Sequence, residues 1–277
     1  MVDVGQDMAQ RILKENEPYR GIAAAGDNSA WIENGVAQVI GDNTSGQCDT
    51  SHWPQVQMIR LGDQHAVGLT LDGEIVYAGS GDQHQCALDT GGAAVRSVGA
   101  GPYASYAVLE DGRVCACGDA IATPGELAQE RDVLALAASA THVALLRADG
   151  TVGAYGSNAY GECDVKQWRD IVLVDCGYGF TVALDRTGRV YVAGDASRAT
   201  QDGMTGAKGI AAGVNNCYVI DKSGNVTASG FNGGGQLDAG EWKKAAVIAG
   251  GYMHAIGLDA RGERLTAGSN AKNQLGS

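Results

Sequence analysis

Proline, basic residues and long apolar runs are all scarce in this sequence of 277 residues. It contains four prolines against 42 glycines, and this glycine content is about twice the average. Abundant glycine without proline indicates many tight turns rather than a disordered chain. No stretch approaches the roughly 18 apolar residues that a membrane-spanning helix needs, so we expect no membrane partner. The first ten residues lack the basic and apolar regions of a signal peptide.

The charge balance is acidic, with 20 Lys and Arg against 32 Asp and Glu and a net charge of −12. An acidic surface repels phosphate backbones, so nucleic acid is not expected as a partner. A protein or peptide with a basic surface suits this charge better. The seven cysteines are an odd number in a chain too long to need disulfides. We therefore expect reduced thiols and a cytoplasmic location.

Glycine recurs with a regular period. One glycine returns every 36 to 39 residues, and a second glycine follows each of these after six residues. The first set consists of Gly35, Gly73, Gly112, Gly150, Gly188, Gly224 and Gly262. The second set, here called the paired glycines, consists of Gly41, Gly79, Gly118, Gly156, Gly194, Gly230 and Gly268. Seven pairs with one offset indicate seven repeats of one structural unit.

The fourth repeat shows how each unit folds. Strands are predicted over residues 133–138, 142–146 and 151–155, and Asp149-Gly150 is a strong hairpin signal. A fourth short strand is predicted over residues 161–165. Four short antiparallel strands in about 38 residues form one propeller blade. The predicted fold class is therefore all-β, a seven-bladed β-propeller.

The ends of the chain suggest how the ring closes. The last repeat ends without the strand that would begin a next blade, whereas the first repeat begins with such a strand over residues 21–25. The N-terminal strand is therefore predicted to close the ring by joining the C-terminal strands in one blade. Val4, Met8 and Ile12 share one helical face, and Pro18 ends that segment. We expect a short N-terminal helical extension over residues 1–17 and a propeller over 18–277. We expect this helix to pack on the propeller. The alternative is that it serves as a linker or docking helix to a further domain.

The repeat resembles that of the regulator of chromosome condensation family. The resemblance rests on stretches such as Leu61–Gly79, with Gly-Asp-Gln-His followed by Leu-Asp-Gly, and on Gly46-Gln47 and Gly235-Gln236 further on. It covers residues 18–277 and implies a seven-bladed propeller. The short repeat is similar to the bacterial branch, in which a propeller-type β-lactamase inhibitor binds its enzyme with aromatic loop residues.

The founder of the family is a nucleotide exchange factor for a small GTPase and binds chromatin. It uses a wedge inserted in one blade and a basic tail for these roles. Here no repeat exceeds 39 residues and no basic tail is present. The resemblance therefore implies the fold and not those two activities.

The cysteines and histidines are interpreted as structural. Cys48, Cys86 and Cys163 share a position that other repeats fill with leucine, which is typical of packing. Cys115 and Cys117 lie on one face of a strand, but no further Cys or His has ligand spacing.

Three histidines, at a position where other repeats hold alanine, phenylalanine or asparagine, are expected to satisfy backbone groups; they are His65, His142 and His254. We predict no catalytic residue, no metal and no cofactor.

Strands of a blade alternate in direction, so the first and third loops of every blade share one face of the propeller. The side chains of the first loops vary around the ring, as binding residues on a rigid scaffold do. Aromatic anchors among acidic and amide groups suit a protein interface. The predicted partner-binding residues are Tyr103, Tyr178, Tyr252, Met253, Asp63, Gln64 and Asp27.

The functional hypothesis is a monomeric, non-enzymatic protein-binding scaffold that uses one loop face. One alternative is a propeller enzyme, a lyase or hydrolase, with its site at the channel mouth. Clustered Glu, His or Lys on adjacent blades would favour it. The other alternative is a structural module of a larger protein.

Overall fold

The computed structural model describes residues 4–122 and 124–276. They form seven antiparallel sheets of three strands each, and in every sheet the strands pair in chain order. Blades 1 to 3 contain β1 Ile22–Ala25, β2 Asn28–Glu33, β3 Val36–Gly41, β4 Val56–Leu61, β5 His65–Thr70, β6 Ile75–Gly79, β7 Val95–Gly101, β8 Ala104–Leu109 and β9 Val114–Gly118. Blades 4 to 7 contain β10 Val133–Ala138, β11 His142–Arg147, β12 Val152–Gly156, β13 Ile171–Gly177, β14 Phe180–Asp185, β15 Val190–Gly194, β16 Ala207–Ala212, β17 Asn216–Asp221, β18 Val226–Gly230, β19 Ala245–Gly250, β20 His254–Asp259 and β21 Arg264–Gly268.

The seven sheets are blades of one ring. The first strand of each blade contacts the first strands of the two neighbouring blades, and β1 in turn contacts β19. Apolar side chains fill the space between adjacent blades, so the core is distributed around the ring. In one such cluster Ala30 and Val39 of blade 1 pack with Ile59 and Ala66 of blade 2. The predicted seven-bladed β-propeller is confirmed.

The prediction of a fourth strand in each blade is wrong. Residues 161–165 form turns because their backbone groups are satisfied locally. The Cys163 N–H donates to the Asn158 side chain at 2.8 Å, and the Tyr160 N–H donates to the Glu162 carboxylate at 2.8 Å. Side-chain acceptors that bond nearby N–H groups compete with pairing to a neighbouring strand.

The N-terminal strand lies at the ring closure, but not as a strand of the last blade. Residues of β1 pair only with β2, from Ile22 with Trp31 to Ala25 with Asn28. The two ends meet instead through the loops and the core. The Tyr252 N–H donates to the Gly26 carbonyl at 3.0 Å, and Ile22 packs with residues of blade 7. The shared blade was expected because each blade was assigned four strands, whereas three complete a blade here.

The N-terminal helix α1 spans Val4–Asn16 and is followed by a 3₁₀ helix, Glu17–Gly21. Met8 and Ile12 are buried in the core of blades 4 to 6, as the helical pattern predicted; the side chain of Val4 lies outside the described residues. The Asn16 side chain donates to the Val172 carbonyl at 2.8 Å. The helix is therefore part of the packed structure, while the predicted division between residues 17 and 18 stays a prediction.

Two further helices are short: α2, Pro124–Leu127, and a 3₁₀ helix, Gln236–Glu241. Among the described residues, no helix combines the length and apolar character needed to cross a membrane.

Replacing Ile12 by Ala should lower the free energy of unfolding by about 2–4 kcal/mol, because it removes a fully buried side chain and leaves a cavity. Leu13→Ala is the matched control, since its side chain is 39% exposed and its loss should cost under about 1 kcal/mol. Urea unfolding of both variants measures the difference. Equal, small losses would show that α1 is not part of the core.

Candidate functional site

The loops after the first and third strands of all blades lie on one side of the ring, here called the loop face. In every blade the N–H that follows the paired glycine donates to a carbonyl of the first loop. In blade 3, for example, the Asp119 N–H donates to the Tyr103 carbonyl at 2.9 Å. The loop face comprises residues 26–27, 62–64, 102–103, 139–141, 178–179, 213–215 and 251–253 of the first loops, and 42–46, 80–84, 119–122, 157–161, 195–198, 231–235 and 269–273 of the third loops.

The three predicted tyrosines are surface residues of the loop face. Tyr103, Tyr178 and Tyr252 are 42%, 40% and 48% exposed. Asp63 and Gln64 are also exposed, whereas Asp27 and Met253 are half-buried. The structure therefore places all seven predicted residues at one surface.

Two aromatic residues of the loop face escaped the sequence analysis. Tyr160 and Phe231 are each 53% exposed and lie in third loops, whereas all seven predicted residues lie in first loops. With them, the loop face carries every exposed aromatic side chain among the described residues. The exposed large aliphatic side chains lie elsewhere; they are Leu13, Val36 and Leu71. The sequence did hold a signal for both residues. Each is an aromatic residue at a repeat position where the other repeats have mainly small or polar residues.

Arg198 organises two of these aromatic rings. Its guanidinium carbon lies 4.9 Å from the ring centre of Tyr178 and 5.7 Å from that of Tyr160. The guanidinium also donates to the Tyr178 carbonyl at 2.5 Å and pairs with Asp195 at 2.9 Å. Contacts between a cation and aromatic faces hold both rings in place before any partner arrives.

Hydrogen bonds between adjacent first loops connect blades 5, 6, 7 and 1. The Tyr178 N–H donates to the Val214 carbonyl at 2.8 Å, and the Val214 N–H donates to the Gly251 carbonyl at 3.2 Å. The Tyr252 N–H extends this series of hydrogen bonds by donating to the Gly26 carbonyl. Tyr178 and Tyr252 thus belong to one arc of connected loops, while Tyr103 lies apart on blade 3 beside Asp63, whose N–H bonds the Pro102 carbonyl at 3.1 Å.

The loop face is acidic. Its two cations, Arg198 and Lys272, are each paired with a carboxylate of the same face. Although Asp63 as a residue is exposed, partial desolvation of its carboxyl at the rim of the central channel, and secondarily the like charge of Asp27, raise the pKa of that carboxyl. These two carboxylates therefore lie close enough to repel one another, and a cation placed beside them would be stabilised. The six carboxylates of the defined loops are Asp27, Asp42, Asp63, Asp82, Asp119 and Asp195.

The three histidines connect neighbouring blades, and all are fully buried. His65 Nε2 lies 3.0 Å from the Ser105 hydroxyl, and His142 Nε2 lies 2.6 Å from the Thr181 hydroxyl. His254 bonds a backbone group, the Asn28 carbonyl at 3.2 Å, and His65 also bonds the backbone of Ala104. The expectation of backbone partners is therefore wrong for His142, whose ring nitrogens contact the hydroxyls of Ser139, Thr141 and Thr181 instead.

The cysteines at the shared position make one recurring contact. Each thiol donates to the carbonyl of the residue after the paired glycine: Cys48 at 3.3 Å, Cys86 at 3.3 Å and Cys163 at 3.1 Å. Burial raises the pKa of Cys48 and of Cys163 to about 11, which keeps both thiols protonated near neutral pH. Within residues 4–122 and 124–276, no three His, Cys, Asp or Glu side chains are grouped as metal ligands would be.

Comparison with known proteins finds a family model that matches part of blade 5. Residues 171–198 match the family model of the regulator of chromosome condensation (RCC1) repeat. These residues comprise β13, β14, β15 and the third loop of blade 5, and the other six blades repeat the same strands and loop contacts. Residues 171–198 are thus similar to an RCC1 repeat. No curated protein sequence matches the chain.

Solved structures with similar folds come from several organisms. Prp20p from Saccharomyces cerevisiae is 13% identical, with 96% of this chain and 86% of that chain covered and a TM-score of 0.72. The ectodomain of the Physcomitrella patens receptor kinase CR4 is 15% identical over 90% and 72%, with a TM-score of 0.71. Human WBSCR16 is 14% identical over 86% of both chains, with a TM-score of 0.69. At these identities the likeness shows the fold alone.

Acid should weaken this propeller through its buried histidines. Burial lowers the pKa of His65, His142 and His254 to about 4, below the ordinary 6.5. Between these values the unfolded chain takes up protons that the folded chain does not. Each histidine therefore leaves the free energy of unfolding unchanged above pH 6.5. As the pH falls from 6.5 towards 4, each histidine lowers that free energy by about 1.4 kcal/mol per pH unit.

His254→Asn should reduce that pH slope by about this amount, because asparagine occupies the same register position at Asn216. His52→Asn, at an exposed histidine, is the control and should leave the slope unchanged. Urea unfolding at pH 5 and pH 6 measures both slopes. An unchanged slope for His254→Asn would contradict the assignment.

Proposed function

We propose that this RCC1-repeat propeller is a non-enzymatic scaffold that binds a protein or peptide through its loop face. The observation that carries the proposal is that the exposed aromatic side chains of the described chain lie together on this face. Large, exposed aromatic rings on rigid supports are typical of binding hot spots, because little entropy is lost when they are covered. Here the loops are tied to one another by hydrogen bonds, and Arg198 holds Tyr160 and Tyr178.

The acidic loop face favours a partner with a basic surface. Six carboxylates against two already paired cations would steer such a partner, and the association rate would fall as salt rises. Structural neighbours also support a protein partner in general terms: Prp20p is described by its binding to Gsp1p and histones. For this chain we propose a monomeric scaffold in the cytoplasm, where its seven free thiols would stay reduced.

The alternative of an enzyme needs titratable groups that face the channel mouth. Blade 4 brings His142 near Glu162 and Ser139, a grouping that the sequence analysis did not find. However, His142 and Glu162 are both fully buried, and His142 Nε2 is occupied by Thr181. This network is better explained as a connection between blades 4 and 5, and the scaffold remains the function that the geometry favours.

Replacing Tyr178 and Tyr252 together by alanine should abolish capture of the physiological partner, because it removes two anchors of one connected arc. The control is Leu71→Ala with Val36→Ala, which removes two exposed apolar side chains outside the loop face. Quantitative mass spectrometry of proteins captured from host lysate compares wild type, test and control. We expect the partner to be a basic protein. Wild type and the control variant should capture it, and the tyrosine variant should not.

Single Tyr→Ala variants should then weaken binding of that purified protein by about 1–4 kcal/mol in surface plasmon resonance, without a change in melting temperature. A partner whose affinity ignores all three tyrosines and falls with the Leu71 and Val36 variant would overturn the proposal.

A further inference from the structure

One position of the first strand is equivalent in all seven blades. In the six repeats of full length, the residue at this position pairs with the residue seven places further on, as Arg60 pairs with Val67 and Asp175 with Val182. In blade 1, whose hairpin is two residues shorter, Ala24 pairs with Ser29. Five blades hold alanine or glycine here and two hold opposite charges. The position is occupied by Ala24, Arg60, Gly99, Ala137, Asp175, Ala211 and Ala249.

Six of these residues, all except Ala211, line a cavity along the axis of the propeller. Its volume is about 190 Å³, and first strands of all seven blades contribute to its wall. Tyr19 of the 3₁₀ helix and Asn16 of α1 line one end, and Asp63, Pro102 and Ser139 of the loop face line the other. Arg60 on blade 2 and Asp175 on blade 5 are three blades apart, as far as a seven-membered ring allows.

Arg60 is anchored but not saturated. Its Nη1 donates to the carbonyls of Tyr19 at 2.9 Å and of Ile59 at 2.7 Å. No described residue accepts a hydrogen bond from Nε or Nη2. Neither atom is among the fully buried polar atoms that lack a partner, and Arg60 lines the cavity, so both atoms are accessible to a ligand. A guanidinium carries five N–H donors, so a planar acceptor such as a carboxylate can still bind here.

Asp175 occupies the equivalent position of blade 5, and its carboxylate is suited to binding a cation. Its carboxylate accepts the Cys176 N–H at 2.9 Å and the Ala212 N–H at 2.8 Å. A carboxylate has about four lone-pair sites, so capacity remains on the cavity side. Among the ion pairs of the described residues, none joins Asp175 to Arg60.

Two unpaired charges in an enclosed space are costly, and proteins normally pair them or give them a ligand. Burial lowers the pKa of Arg60 to about 10, and the charge of Asp175 opposes this shift. Burial raises the pKa of Asp175 to about 6, so it is mostly ionised at pH 7.5. Both charges are therefore present at that pH, facing one cavity from opposite walls.

We propose that the axial cavity binds a small zwitterion, with its carboxylate on Arg60 and its ammonium group on Asp175. The four small residues that line the cavity at the same level leave the space that such a molecule fills; they are Ala24, Gly99, Ala137 and Ala249. An amino acid, in which one short apolar chain joins the two charged groups, is the ligand class that matches. The site is separate from the aromatic residues of the loop face and does not depend on the proposed protein partner.

A series of probes tests this proposal on the full chain at pH 7.5. Glycine, β-alanine, 4-aminobutyrate and 5-aminopentanoate vary the distance between the charges, while butyrate and n-butylammonium carry one charge each. Isothermal titration should show binding of at least one zwitterion, about 10- to 100-fold tighter than either single-charge probe, as expected for charged hydrogen bonds. Failure of every zwitterion to bind at 10 mM, or equal binding of butyrate, would overturn the proposal.

Variants locate the site. Asp175→Asn and Arg60→Met should each weaken the preferred zwitterion by about tenfold or more, and Ala249→Leu should block it by filling the cavity. Asp82→Asn, on the loop face outside the cavity lining, and Arg113→Met, on a hairpin turn, are the matched controls and should bind like wild type. Unchanged affinity in all three cavity variants would place any binding elsewhere and refute the site. If a charge variant does not fold, the wild-type probe series still decides.

Discussion

The structure depends on one contact between the third and first loops of each blade. Gly194 shows it: its φ is 103°, and a Cβ atom there would lie less than 3.0 Å from the Gly179 carbonyl oxygen. The same oxygen accepts the Asp195 N–H at 2.9 Å. Only glycine permits so close an approach in this conformation. The contact recurs in all seven blades, which explains why the paired glycines are the most regular feature of the sequence.

This contact separates the constant part of each blade from the variable part. The glycine and the hydrogen bond set how the two loops lie against each other, so neighbouring loop positions are free to differ between blades. Tyrosine, aspartate and small residues therefore alternate around the loop face on supports of equal geometry. The first strands follow the same rule, because five of seven equivalent positions are small while Arg60 and Asp175 carry charge. A regular framework thus carries the two proposed sites, one on the loop face and one along the axis.

The repeat, the hairpins and the side of the ring that carries Tyr103, Tyr178 and Tyr252 could be predicted from the sequence, because glycine spacing and strand alternation determine them. The fourth strand could not, because the local bonds of Asn158 and Glu162 replace it. Tyr160 was missed since its stacking on Arg198 joins residues from two blades. The opposed Arg60 and Asp175 were detectable by aligning first strands, but only the closed ring shows that they share a cavity.

The most direct test of the central contact compares two glycines of blade 5. Gly194 and Gly203 both have positive φ, of 103° and 79°, but a Cβ at Gly203 would meet nothing within 4 Å. Gly203→Ala should therefore cost only the backbone strain, about 1–2 kcal/mol in the free energy of unfolding. Gly194→Ala should cost at least about 2 kcal/mol more, because the loop contact must also open. Equal losses for the two variants in urea unfolding would contradict the account.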